Sequence, residues 1–356
     1  MMLPSAESTE HPIARRRAVL GWSQAELARR AGLPRTNVSA IEGRRLTPSV
    51  AAALVLARTL ESSVEALFGA GDTAGASDTT EWAWSPRRTP CRYWEASVGG
   101  RRFRYPVEAS PGHPVPHDGV WRGEPERLAE ADLAEATLVL GCCDPAAGLL
   151  AAAYERSSGY RLLVLPRGGS AALELLQRGL VHVAGLHRST PERPTLNQET
   201  VRSRLGSGHQ LLRVAQWQAG VALPAADHTR SLTGLRRRAG PWALRESGSA
   251  ARECLDELLA GKSVTGRTVQ NHAAVAEAVR AGWANAGVCV QLVAEEAGLN
   301  FLPIRTESLD LCFPESHARD PRVVALIRLL QSGSHRRMIG TLPGYDTRQT
   351  GELMAA

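Results

Sequence analysis

The run Gly21-Trp22-Ser23-Gln24-Ala25-Glu26-Leu27-Ala28-Arg29-Arg30-Ala31-Gly32-Leu33-Pro34-Arg35-Thr36-Asn37-Val38-Ser39-Ala40-Ile41-Glu42 carries the plainest structural signal in the chain. Ser23 stands three residues before Glu26, the spacing of a capping box, and Gly32 falls where a left-handed residue closes a helix. This predicts one helix over Ser23–Ala31, a tight turn, and a second helix over Thr36–Glu42. Within the run and outward from it, Leu20, Leu33, Val38, Ile41, Leu54, Leu56, Ala57 and Leu60 recur at helical spacing. Further helices are therefore expected over Ile13–Leu20, Pro48–Thr59 and Val64–Phe68. The second helix is made of short polar side chains, slim enough for a DNA major groove about 12 Å wide.

The motif, with Gly43-Arg44-Arg45, Pro48-Ser49, Leu56-Ala57-Arg58 and Ser63-Val64-Glu65-Ala66-Leu67-Phe68 behind it, resembles the helix-turn-helix of Xre (Cro/C1-like) repressors. That resemblance implies a double-stranded DNA partner, with Arg35, Thr36, Asn37 and Ser39 reaching base edges and Gln24 clamping a phosphate. Arg pairs with guanine and Asn with adenine, while Thr and Ser read tolerantly. Arg44 and Arg45 follow the second helix and are expected on phosphates. A homodimer is expected too, because one such module reads a half-site and two-fold symmetry matches a palindrome. The competing reading is a helical module that binds protein as a sensor or scaffold.

The rest of the chain sets this segment in context. At 356 residues the sequence is long enough for at least two folded units. Its 43% hydrophobic and 22% charged residues exclude a disordered or collagen-like chain. The net charge is +6, yet residues 11–60 hold nine arginines against two glutamates, a local +7, so the basic balance belongs to the helical segment. No apolar run approaches the ~18 residues of a membrane span. Pro4, Ser5, Glu7, Ser8, Thr9 and Glu10 interrupt any apolar signal core, so a cytoplasmic protein without membrane partners is expected. Cys91, Cys142, Cys143, Cys254, Cys289 and Cys312 form no C-x-x-C pair, and neither a disulfide scaffold nor a metal site is expected.

Composition divides the chain into residues 1–70, a Gly/Ala/Ser/Thr/Asp-rich linker over 71–80, a β-rich connecting segment over 81–136, and residues 137–356. The connecting segment reads as a hairpin, Cys91–Val98 and Arg101–Val107 around Gly99-Gly100, with Trp82, Trp84, Trp94 and Trp121 as anchors. Behind it, strands and helices alternate: Thr137–Gly141, Pro145–Arg156, Tyr160–Leu165, Ser170–Arg178 and Val181–Gly185. A second set comprises Trp217–Leu223, Trp242–Arg245, Ser249–Leu259, His272–Ala281 and Ala286–Val290, then Phe301–Pro303, Leu309–Phe313 and Pro321–Leu330. Such alternation means a parallel sheet with helical crossovers.

Gly141-Cys142-Cys143-Asp144-Pro145-Ala146-Ala147-Gly148, Gly169-Ser170-Ala171-Ala172, Arg245-Glu246-Ser247-Gly248-Ser249-Ala250-Ala251-Arg252, His272-Ala273-Ala274-Val275 and Leu342-Pro343-Gly344-Tyr345-Asp346 occur in that order. Together they resemble the periplasmic-binding-protein-like domain related to molybdate- and tungstate-binding proteins, as carried by regulators behind an Xre-type helix-turn-helix. The fold expected is therefore multidomain: an all-α helix-turn-helix domain plus an α/β two-lobed domain of the type 2 periplasmic-binding-protein class. The implied ligand site comprises Cys143, Asp144, Gly169, Ser170, Arg245, Ser249, Arg252 and His272.

Asp144-Pro145, Gly169-Ser170 and Gly248-Ser249 each put a helix start after a strand or turn, and free N–H groups there favour anions. A small anionic effector is expected, an oxyanion such as molybdate among the options, with no other cofactor. Where the family has Gly-Ser-Gly-Thr-Arg this chain has Gly248-Ser249-Ala250-Ala251-Arg252, losing a glycine and a hydroxyl. Asp144 would repel an oxyanion, so it either only caps its helix or meets donor groups on the ligand. No nucleophile elbow, phosphate loop or metal motif is present, and no enzyme is expected. The alternative chemistry is a thiol nucleophile, Cys143, with His187 or His272 as base.

Overall fold

A computed structural model describes residues 11–43, 45–68, 80–108, 115–129, 131–237 and 240–356. The chain divides into two compact units, Met1–Thr79 and Thr80–Ala356. The expected linker over 71–80 lies outside the described residues except at Thr80.

The first unit consists of α1 (Pro12–Val19), α2 (Gln24–Ala31), α3 (Arg35–Glu42), α4 (Val50–Thr59) and α5 (Val64–Phe68). Its local signals act as the sequence predicts. Ser23 Oγ accepts the Glu26 N–H at 3.2 Å, and Gly32 ends α2 at φ 63°, a conformation that costs other residues a Cβ clash. Ile13, Leu27, Val38, Ile41, Leu56 and Leu60 fill the centre at 2% exposure or less. Glu42 ties three helices: Arg17 Nε donates to it at 2.8 Å and Gln24 Nε2 at 2.7 Å.

The second unit opens with β1 (Glu81–Trp82), β2 (Cys91–Val98), β3 (Arg101–Pro106), β4 (Gly119–Trp121) and β5 (Pro125–Arg127), ordered β1-β3-β2-β4-β5. The hairpin pairs Val98 with Arg101 across Gly99 and Gly100, both at positive φ, as a two-residue primed turn requires. This sheet shares a core with the residues C-terminal to it: Ala96, Val98, Phe103 and Tyr105 pack with Val139, Leu163, Leu165 and Leu173. Tyr105 donates its hydroxyl to the Leu180 carbonyl at 2.8 Å, and Arg161 pairs with Asp118 at 2.5 Å.

Strand and helix then alternate through β6 (Thr137–Cys142), α6 (Ala147–Ser158), β7 (Arg161–Pro166), α7 (Gly169–Gln177), β8 (Val183–Ser189) and α8 (Leu196–Leu205). The long β9 (His209–Leu223) and the short α9 (Leu232–Arg236) lead to a second alternation. It comprises β10 (Trp242–Arg245), α10 (Ala250–Leu258), β11 (Gly266–Val269), α11 (His272–Arg280), β12 (Ala286–Val290) and α12 (Gln291–Glu296). The second long strand β13 (Asn300–Pro314), then α13 (Pro321–Gln331), α14 (Gly333–Ile339), β14 (Tyr345–Asp346) and β15 (Leu353–Ala355), complete it.

One ten-stranded sheet runs β11-β10-β12-β9-β13-β8-β6-β7, with β14 and β15 also on β9. Its ends are two parallel trios, β7-β6-β8 and β11-β10-β12, and the antiparallel pair β9–β13 runs from one to the other. These are the two lobes. Trp217 and Glu307 face each other midway along the pair.

Two local expectations change. Phe301–Pro303 and Leu309–Phe313 belong to one strand, because the polar run Arg305-Thr306-Glu307-Ser308 between them is paired with β9, and the register shifts at Pro303/Arg305 and Leu309/Asp310 keep it in the sheet. The helix expected from Pro145 starts at Ala147. Among the described residues no helix is long and apolar enough to cross a membrane.

Candidate functional site

In the first unit the candidate surface is the start of α3. Arg35 and Thr36 are exposed there, with Asn37 and Ser39 half-buried beside them, and Arg45 is exposed beyond the helix. Among the described residues neither Arg35 nor Arg45 is ion-paired, whereas Arg29 and Arg30 on α2 are both held by Glu26 at 2.6 Å. Arg44 lies outside the described residues. Gln24, the expected phosphate clamp, donates one amide N–H to Glu42, which fixes its side chain and leaves its second N–H for another acceptor. Burial works to raise the Glu42 carboxyl, but the hydrogen bonds from Arg17 and Gln24 outweigh it and hold the group ionised below its usual range.

The second unit places its candidate residues where the C-terminal ends of β6, β8 and β10 meet the starts of α7, α10 and α11, the edge at which parallel sheets bind ligands. The two lobes touch there. Ser170 Oγ donates to the Gly248 carbonyl at 2.9 Å, and Arg188 on β8 pairs with Glu253 on α10 at 2.8 Å. Gly169, Ser170, His187, Arg188, Gly248 and Ala250 are among the residues around a crevice of about 10 Å³, room for roughly one water. The cleft is closed in this structure.

Behind the crevice lies a buried polar cluster. Cys143 Sγ is 3.1 Å from His187 Nε2, and His187 Nδ1 is 2.7 Å from Glu307 Oε2. Trp217 Nε1 donates to the same carboxylate at 3.2 Å and Arg305 Nε to its other oxygen at 2.8 Å. Burial alone would discharge Glu307 and His187. Instead His187 and Arg305 hold Glu307 ionised, and the neighbouring Cys143 and Glu307 push His187 up. His272, the first residue of α11, has its ring centroid 5.6 Å from that of His187, and burial drives it down toward the neutral form. Burial likewise raises the Cys142 thiol and keeps it neutral.

The expected ligand residues thus separate. Cys143 and His272 enter the cluster. Asp144 is not the cap of α6: its Oδ1 accepts the Ala146 N–H at 2.9 Å ahead of the helix and the Tyr345 hydroxyl at 2.7 Å. Ser170 lies inside α7 rather than at its cap and spends its proton on Gly248, while Ser249 is a true N-cap, accepting the Arg252 N–H at 3.2 Å. Arg252 is paired with Asp256, one turn on in α10, at 2.9 Å. Arg245 is 2% exposed and pairs with Glu246 through Nε and Nη2, each at 2.8 Å. Its Nη1 has no partner among the described residues.

Glu307, Trp217, Tyr345 and the Arg188–Glu253 bridge are not among the ligand residues expected from the sequence, where Trp217 stands only in a strand and Tyr345 only in the Leu342–Asp346 motif. The polar run inside β13 is the one local signal for Glu307.

A helix-turn-helix unit joined to a two-lobed binding-protein-like unit is the class this fold and cleft define. A helix-turn-helix profile matches residues 13–67, and the profile of the PBP superfamily domain matches residues 151–331, just over half the sequence. The chain belongs to the PBP-like domain family and carries an Xre-like helix-turn-helix domain at its N-terminus. It is 26% identical over 198 residues to the uncharacterized protein YvgK of Bacillus subtilis (strain 168), a match spanning 53% of this chain and 64% of that one. An ABC-type phosphate transport receptor from Vibrio cholerae is similar over 59% of this chain and 99% of its own, with a TM-score of 0.43 and 15% identity. A reduced form of OxyR from N. meningitidis is similar over 56% of this chain and 96% of its own, with a TM-score of 0.41 and 14% identity.

Proposed function

We propose that this protein is a one-component transcriptional regulator that binds operator DNA as a homodimer in the cytoplasm and responds to a small molecule held in the cleft of its second unit. The observation that carries the reading is the pairing, in one chain, of an α3 start that offers Arg35, not ion-paired among the described residues, beside Thr36 and Asn37 with a two-lobed unit whose cleft brings Ser170, His187 and Arg188 together among small and apolar residues. Phosphate contacts from Arg45 orient the module, and base edges are read by Arg35 and Asn37. A ligand with higher affinity for the closed cleft shifts the unit toward it, and ligand and DNA must then change each other's affinity by the same factor.

An anionic effector, molybdate or tungstate among the options, is supported by helix starts at the cleft, but the buried, ionised carboxylate of Glu307 opposes it, while burial pushes Asp144 toward its neutral form. DNA affinity at fixed salt, measured with and without either anion, tests this half. No change in affinity and no thermal shift would remove the oxyanion and leave the regulator.

A second reading has specific support. Cys143, His187 and Glu307 line up as nucleophile, base and orienting carboxylate. We favour binding over catalysis because the sequence around these residues carries no nucleophile elbow or phosphate loop. Turnover of any thiol-sensitive acyl substrate that is abolished in Cys143→Ser, with folding intact, would reverse that preference.

A further inference from the structure

Three donor groups from both lobes converge in the buried cluster. Cys143 follows β6, His187 lies in β8 and His272 opens α11 from the opposite lobe. All three are 7% exposed or less, and one donor atom from each lies within 4.8 Å of the others. Both ring nitrogens of His272 lack a hydrogen-bond partner among the described residues, a condition that native interiors rarely leave unanswered. His187 is oriented through Nδ1 by Glu307, so that Nε2 is the nitrogen turned to Cys143. A carboxylate behind one imidazole nitrogen with the other left for an ion is how metal-binding histidines are held.

We propose that Cys143, His187 and His272 bind a transition metal ion of the zinc class, with a fourth coordination position left for a water or an effector atom. One thiolate and two imidazoles select zinc-like or cuprous ions over magnesium and calcium. With metal–ligand bonds of about 2.0–2.3 Å, tetrahedral donors stand about 3.3–3.8 Å apart. The 3.1 Å between Cys143 and His187 and the 4.8 Å limit on the trio bracket that range, so small side-chain adjustments suffice.

The charges agree. The Glu307 carboxylate stands behind His187, shared with Arg305, and Arg245, a charge that opposes a cation near His272, is already paired with Glu246. Three protein ligands are one fewer than a closed structural site uses. Because the ligands come from both lobes, the ion would favour the closed cleft.

The proposal deepens the effector-site reading and is separable from it. The full-length chain, reduced and stripped with a chelator, is titrated with Zn²⁺ in competition with a chromophoric chelator, and separately with Co²⁺ as an optical probe. One ion per chain is expected, and the Co²⁺ form should show a thiolate charge-transfer band that Cys143→Ser loses and Cys142→Ser keeps. Glu307→Gln should keep the band and weaken Zn²⁺ binding by roughly 10–100-fold, as loss of a supporting carboxylate does. His272→Gln should weaken it at least as much. Bound Co²⁺ without a thiolate band in the unmodified protein overturns the site even if Cys143→Ser does not fold. Zn²⁺ affinity unchanged in His272→Gln overturns it as well. Absence of Zn²⁺ binding in a protein whose DNA affinity still responds to an anion removes the metal site and leaves the regulator standing.

Discussion

Arg35 and Asn37 sit at the start of α3, where a guanidinium and a carboxamide can each make two hydrogen bonds to one base. Arg35→Ala and Asn37→Ala are each expected to cost about 1–3 kcal/mol of operator affinity and to relax the preference at one base position. Arg45→Ala should instead weaken binding to all sequences alike and lower the salt slope by about 1. Binding isotherms on an operator and on scrambled DNA at several salt concentrations separate the two outcomes.

His182 gives a pH prediction in the second unit. It is 1% exposed, its Nδ1 accepts the Val139 N–H at 3.0 Å, and burial, then the charge of Arg322, pushes it down to about 3. The unfolded chain takes up this proton as pH falls below about 6.5, while the folded chain refuses it until about 3. The stability associated with His182 is therefore complete above pH 6.5 and is lost as pH falls through that window, by about 1.4 kcal/mol per pH unit. Urea unfolding at pH 7 and pH 5 should show a drop that His182→Gln reduces by ~2 kcal/mol. An equal drop in the variant would contradict the assignment.

At the scale of elements, the helix-turn-helix depends on one backbone conformation and one cap. Gly32→Ala meets no neighbouring atom but must keep φ 63°, so it should destabilise the first unit by about 1 kcal/mol. Ser23→Ala, which removes the acceptor for the Glu26 N–H, should cost a similar ~1 kcal/mol. Hydrogen exchange of the α2 and α3 amides reads both, and additivity is not assumed because the two residues belong to the same helix.

These features are legible in sequence because capping and left-handed termination act within three or four residues. The long strands are not. β9 and β13 have polar centres at Gln216–Gln218 and Arg305–Ser308, which are satisfied by each other, as in the Gln218 to Thr306 hydrogen bond of 2.9 Å. A hydrophobicity pattern breaks at such a place although the strand does not. Glu307 is hidden for the same reason: its partners His187, Trp217 and Arg305 are contributed by different strands or, for Arg305, sit two residues away on the same strand.

At the scale of the whole molecule, the closed cleft sets the functional prediction. The Arg188–Glu253 pair bridges the lobes with both side chains about one-third exposed, so it is worth no more than about 1 kcal/mol. Arg188→Ala is expected to raise hydrogen exchange in α10 without unfolding the core and to weaken a closure-dependent ligand by at most about fivefold. Unchanged exchange in α10 would show that Ser170–Gly248 and the neighbouring packing hold the cleft without it.

The sequence by itself determined the helix-turn-helix unit, its concentrated positive charge, the alternation of strands and helices, and the order of the motifs around the cleft. Each of those depends on residues close together in the chain or on simple periodicity. Only the tertiary structure decided that the β-rich segment shares a core with the first lobe, that Gln24, Ser170 and Arg252 bond to Glu42, Gly248 and Asp256, and that Cys143, His187, His272 and Glu307 meet. Residues 143 and 307 are far apart in sequence, and no local rule relates them. They meet because two long strands cross between the lobes and carry their polar midpoints to the ends of the parallel strands.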